Sequence, residues 1–163
     1  MLYNATMSMD SLLEKDEQYL FNDNNLTASL TAGLNFAELI PVQLSTNITC
    51  PWGAPFYNFM LGQPSYDSFN STHSRATVLL SFENHAAFDL AGNIRVELYD
   101  SLSSLLGKSY TAFSVSQSSP YADNLEFYVP LNVASLSAAR SGHYKVFFST
   151  SLFEHGPSVI PYG

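Results

Sequence analysis

One cysteine, six Lys plus Arg and a charged fraction of 12% are the scarcities of this 163-residue chain. A single thiol, Cys50, leaves no partner for an intrachain disulfide. Flanked by Thr49 and Pro51 and with no paired base in its neighbourhood, Cys50 reads as a buried small apolar residue, not a nucleophile. Six scattered cations against fourteen carboxylates, a formal net charge of -8, cannot build a basic patch, which excludes nucleic acid and anionic lipid surfaces as partners. No apolar run approaches the about 18 residues of a membrane span. The opening MLYNATMSMD lacks the cationic and long apolar regions of a secretory leader, so the expectation is either a cytosolic protein or a Met1 that begins a mature chain or one trimmed of an anchor. No G-x-S-x-G elbow, P-loop, Rossmann glycine pattern or H-E-x-x-H is present.

With charge scarce, the surface is left to Ser, Thr, Asn, Gln and Tyr, a composition common outside the cell. Apolar residues make up 46% of the chain, which supplies a core for one domain of this length. Four Asn-x-Thr sequons occur, at Asn4, Asn25, Asn47 and Asn70, a mild excess over chance for this Asn and hydroxyl content. Each is a glycan acceptor candidate if the chain enters a secretory compartment.

Residues 1–25 are expected as an N-terminal arm or linker, with five of the fourteen carboxylates and a capping-box spacing of Ser11 and Glu14 at a short helix. From Leu26 the period becomes two. LTASLTAGL (26–34), IPVQLSTNIT (40–49), RATVLLSFE (75–83), NIRVELYD (93–100), YTAFSVS (110–116), NLEFYVPL (124–131) and HYKVFFST (143–150) each set apolar residues against polar ones. Half-buried strands separated by Gly, Pro, Asn and Ser predict an all-β fold, a single Greek-key β-sandwich over 26–163, immunoglobulin/fibronectin-like or jelly-roll-like. NVASLSAAR (132–140) is the one internal helical turn expected.

CPWGAPFYNFMLGQP (50–64) breaks the pattern with three prolines, and a proline cannot donate to a central ladder. Trp52, Phe56, Tyr57 and Phe59 there are either a crossover packed over one end of the sandwich or an exposed aromatic loop that contacts a sugar or protein. Among the four histidines, His85 and Glu83 share a strand face and are expected as a surface pair. Calcium needs several oxygens at once. Asp10, Glu14, Asp16, Glu17, Asp23 and Asp67 are the acids available, without an EF-hand spacing, and the expectation is no cofactor and no metal.

Two family resemblances follow. LSAARSGHYKV (136–146) resembles the tyrosine corner of immunoglobulin-like domains. The resemblance gives Gly142 the tight turn, Tyr144 a hydroxyl bonded back to upstream backbone, and Val146 the place of the second cysteine, while Arg140 stands where the family has its turn acid. ATVLLSFENHAAFDLAGNIRVELYDSLSSLLGKS (76–109) and the terminal HGPSVIPYG are similar to late-embryogenesis-abundant (LEA2-like, WHy-type) β-sandwich domains, through Asn84, Leu98-Tyr99 and Leu105-Leu106-Gly107. That resemblance implies an outward-facing sandwich, often membrane-tethered, with no catalytic residues. Together these readings point to a non-enzymatic extracellular or cell-surface protein with a structural or interaction role. The expected partner is a second copy, or a polymer of copies joined by strand exchange through 26–34, or another cell-surface protein. The competing expectation is a carbohydrate- or protein-binding module using the loop 51–59.

Overall fold

The computed structural model describes residues 17–36, 40–130 and 141–162. It contains a one-turn helix, α1 (Gln18–Phe21), and ten strands: β1 (Asn24–Phe36), β2 (Ile40–Trp52), β3 (Tyr57–Leu61), β4 (Ser65–Ser68), β5 (His73–Glu83), β6 (Leu90–Tyr99), β7 (Leu105–Val115), β8 (Pro120–Pro130), β9 (His143–Thr150) and β10 (Glu154–Pro161). Each of the seven runs of period two falls on a strand. The expected helical turn at 132–140, the capping box at Ser11 and the sequon Asn4 lie outside the described residues.

The chain is an all-β sandwich. One sheet has the order β10-β9-β6-β7; in the other, β5 carries β8 on one side and β3 and β4 on the other, all antiparallel. β3 and β4 are one interrupted edge strand: β3 pairs with Leu80–Glu83, β4 with Ser74–Thr77, and the Gly62 N–H still reaches the Leu79 carbonyl at 2.8 Å across the break at Pro64. Pro64 explains both the break and the edge position, since an edge strand tolerates a missing donor.

The core sits between the sheets and follows directly from the alternation. β5 buries Ala76, Val78, Leu80 and Phe82; β8 buries Leu125, Phe127 and Val129; β6 buries Ile94, Val96 and Leu98; β9 buries Tyr144, Val146 and Phe148. Phe56 is its aromatic centre, fully buried, with ring centroids 4.3 Å from Phe148, 5.1 Å from Phe82 and 5.8 Å from Phe113. Asn84 is also fully buried and is satisfied on both ends: its amide donates to the Phe88 carbonyl at 2.9 Å and its oxygen accepts from the Ala86 N–H at 3.0 Å. That pair of bonds shapes the β5–β6 connection.

The hydroxyl of Tyr144 does bond to upstream backbone, far from it in sequence. It donates to the Gly62 carbonyl, 2.8 Å away and 82 residues earlier, beside the opposite sheet. β9 points Tyr144 into the core, so its oxygen emerges on the far side, where the carbonyl after β3 is waiting. Gly142 serves as expected in kind: a Cβ there would collide with the Tyr99 carbonyl oxygen, so the chain passes β6 at a distance only glycine permits.

β1 and β2 belong to neither sheet. They pair with each other over thirteen positions, from Asn24↔Trp52 to Phe36↔Ile40, as a two-stranded ribbon. Their period-two pattern predicts strands within the sandwich, each with one wet face. Instead, Ser45, Thr46, Asn47, Ile48, Thr49, Cys50 and Pro51 are all exposed, so residues of both parities, and hence both faces of this part of β2, meet solvent; the expected burial of Cys50 is thereby corrected, since its strand lies outside the sandwich.

Candidate functional site

The ribbon and its root form the site with the most unusual exposure. At the root, five hydrogen bonds tie it to the sandwich. The Trp52 indole N–H donates to the Tyr19 carbonyl at 2.8 Å, and the Phe56 N–H to the Leu20 carbonyl at 3.0 Å. Asp23, the residue before β1, accepts the Ala54 N–H at 2.9 Å with one oxygen and meets His85 Nδ1 at 2.8 Å with the other. The His85 N–H in turn donates to the Ala54 carbonyl at 3.0 Å. Gly53 makes this closeness feasible, because a Cβ there would strike the His85 carbonyl oxygen. Leu20 is fully buried, so residues 17–25 meet the sandwich through a core side chain and these bonds.

His85 is held on both ring nitrogens, with Glu83 3.1 Å from Nε2, and its ring stacks on Tyr57 at 4.0 Å. The pair with Glu83 was legible from the i, i+2 spacing; Asp23, 62 residues away, was not. The hydrogen bond from Asp23 raises the His85 pKa above 6.5, partial burial works against it, and the bond to Glu83 and the two negative charges add to the rise. Asp23 feels burial, which pushes its carboxyl up, but the Ala54 N–H and the His85 bond and charge outweigh it and hold the pKa below 3.8. The ring thus sits between two carboxyl groups, an arrangement that favours its protonated form. With both nitrogens engaged, it has no lone pair turned toward an incoming proton donor.

Beside this clamp lies an open cleft of ≈ 670 Å³, lined by Asn24, Asn25, Trp52, His85 and Gln117 among others. Trp52 is half-buried there, and Tyr57 is half-buried against the His85 ring. The expectation that these two join Phe56 and Phe59 in one contact surface is corrected: Phe56 is fully buried, and the half-buried Phe59 packs its ring against Phe21, Phe56, Phe82 and Phe148. Their apolar area is better spent in the core.

The remaining predicted residues are dispersed. Asn25 lines the cleft; Asn47 is exposed on β2 and accepts the Ser29 hydroxyl at 2.8 Å; Asn70 is exposed at the β4–β5 turn, where its oxygen accepts the Thr72 N–H, the Thr72 hydroxyl and the His73 N–H. Of the acids weighed for calcium, Glu17 faces His155 and Ser158, Asp23 is committed to the clamp, and Asp67 lies 3.7 Å from Arg75; Asp10, Glu14 and Asp16 lie outside the described residues. Among the described residues no group of three His, Cys, Asp or Glu side chains is arranged to hold a metal. No described helix is long and apolar enough to cross a membrane.

Sequence reasoning missed Glu97. On the outer face of β6 it is nonetheless buried, under the Lys108 ammonium at 3.0 Å and the Tyr99 hydroxyl at 2.8 Å. Burial pushes its carboxyl up, and the bonds and charges of Lys108, Tyr99 and Arg95 more than reverse that, leaving the pKa below 4.5.

These features define an all-β sandwich carrying a separate two-stranded ribbon. No family model matches the sequence, and no curated protein matches it. Among solved structures, a β-glucosidase from Streptomyces venezuelae (DesR, in complex with D-glucose) is similar over 70% of this chain at 13% identity and a TM-score of 0.28, and the chain spans 15% of that enzyme's length.

Proposed function

We propose that this protein is a non-enzymatic β-sandwich of the cell exterior whose role is structural contact, with the β1–β2 ribbon as the contact element and self-assembly as its mode. The observation that carries this reading is the ribbon itself: thirteen paired positions outside both sheets, with both faces of β2 in solvent from Ser45 to Pro51. An isolated two-stranded hairpin is marginal in water. A long one is retained where a partner covers it. The exterior location is supported by the exposed sequons Asn25, Asn47 and Asn70 and by the poverty of charge. The strand order β10-β9-β6-β7 against β3/β4-β5-β8 supports kinship with immunoglobulin/fibronectin-like sandwiches, which serve such roles.

Electron microscopy of the purified protein at neutral pH, with and without millimolar calcium, tests the reading. Filaments, tubes, sheets or discrete oligomers are the expected outcome. Uniform particles of one chain would remove self-assembly. The second reading, a carbohydrate-binding module, is favoured by the cleft beside Trp52. It requires Trp52→Ala to lose retention on a polysaccharide while the fold persists.

A further inference from the structure

The ribbon's register carries a chemical pattern that neither strand shows alone. Because both strands are antiparallel and in unbroken register, cross-strand partners share a face. One set of pairs is Asn25↔Pro51, Thr27↔Thr49, Ser29↔Asn47, Thr31↔Ser45, Gly33↔Gln43 and Asn35↔Pro41. The other, beyond the root pair Asn24↔Trp52, is Leu26↔Cys50, Ala28↔Ile48, Leu30↔Thr46, Ala32↔Leu44, Leu34↔Val42 and Phe36↔Ile40. The first face is polar. The second, past its root, is apolar at every position but Thr46. Among the described residues no strand of either four-stranded sheet pairs with β1 or β2.

We infer that the occupant of this apolar face is the same face of a second copy, the two ribbons stacking into a small two-layer β-sandwich between molecules. This rests on the reading of the ribbon as the contact element and commits it to a partner and a face. Three observations favour a copy over an unrelated partner. First, β1 and β2 contain no Asp, Glu, Lys or Arg in a chain of net charge -8. The ribbon is therefore where two equally acidic molecules approach with least repulsion, and it offers a charged partner nothing to pair with. Second, large and small residues alternate along the face, Leu26, Ala28, Leu30 and Ala32 on one strand, with Ile48 opposite Ala28 and Leu44 opposite Ala32. Such a face is complementary to its own image shifted by one repeat, which an isologous contact needs. Third, thirteen positions at about 3.3 Å each give a strip roughly 43 Å long. Two such strips in contact bury on the order of 1,000 Å², the size at which specific association begins.

The contact reads out through sedimentation velocity and through Cys50, the chain's one cysteine, which is exposed and on the apolar face opposite Leu26. The wild-type chain is expected to associate reversibly, and its Cys50 to be alkylated by iodoacetamide more slowly as association proceeds. Ile48→Lys should weaken association about a hundredfold or more, because it places a charge in the buried strip. Thr49→Lys, one residue along on the polar face, should leave it within about threefold. Unchanged near-ultraviolet circular dichroism shows that each variant keeps the sandwich. A wild-type chain that stays monomeric at every concentration overturns the second copy as partner. Association that Thr49→Lys weakens as much as Ile48→Lys does, or in which Cys50 reacts at the monomer rate, overturns the face while leaving the ribbon as contact element. Association untouched by both substitutions overturns the ribbon reading itself.

Discussion

The two aromatic residues that lock the sandwich together are bound by different physics, and they fail differently. Phe56 contributes packing alone: fully buried, it touches rings from both sheets. Phe56→Ala is expected to cost about 3–5 kcal/mol of unfolding free energy, visible as a lower urea midpoint with an unchanged slope. A ligand contact would instead lose binding and keep the midpoint. Tyr144 contributes a bond as well as a ring. Tyr144→Phe keeps the packing and strips the Gly62 carbonyl of its donor, so the expected cost is about 1–2 kcal/mol in the same measurement. Burial holds the Tyr144 hydroxyl protonated far above the usual phenol range, with the neighbouring Tyr162 and Tyr66 adding to it, so this bond persists across any pH at which the protein is handled. The tyrosine was legible from the small-Gly-polar-Tyr pattern ahead of an alternating strand. Its partner was not, because nothing local in 136–146 encodes a carbonyl 82 residues away.

At the scale of elements, the alternation of each strand was the readable signal, and it names an apolar face without naming what covers that face. For β5, β6, β8 and β9 the cover is the opposing sheet. β1 and β2, with the same period-two signature as the rest, pair with each other and, among the described residues, with no strand of either four-stranded sheet. β3 and β4 escaped the reading for a complementary reason: they form an interrupted edge strand about Pro64, a residue that argues against a central strand and blunts an edge. The β1 edge, from Asn24 to Phe36, has no proline at all. The Asp23–His85–Glu83 clamp is one of the contacts at the ribbon's root, and its titration has a definite sign. The folded-state pKa of His85 is raised, so its contribution is fully present below 6.5 and is lost as pH rises through the folded value. Asp23 is depressed, so its contribution is present above 3.8 and is lost as pH falls through its folded value. The clamp is tightest between these limits. Trp52 is the chain's one tryptophan and lines the same cleft, so its fluorescence reports the event. A transition with its midpoint above pH 6.5 is expected in the wild type and absent in His85→Gln. A midpoint at or below 6.5 would contradict the clamp.

For the whole molecule, the balance is between a strongly acidic body and an uncharged ribbon. Two bodies of formal charge -8 repel at the separations that ribbon stacking imposes. That repulsion is long-ranged when the Debye length is about 30 Å, near 0.01 M salt, and largely screened at about 8 Å, near 0.15 M. The apolar contact itself is not weakened by salt, since its driving force is the removal of surface from water. Association is therefore expected to strengthen as salt rises over this range, by about tenfold or more in the dissociation constant. Sedimentation velocity at fixed protein concentration and increasing sodium chloride measures it. The sign discriminates between contacts. A charge-complementary interface, using for example the half-buried Arg75 and the exposed Lys108 against carboxylates of a neighbour, would weaken over the same range. Strengthening with salt, together with loss of association in Ile48→Lys, places the attraction in the neutral strip and the repulsion in the bodies it holds apart.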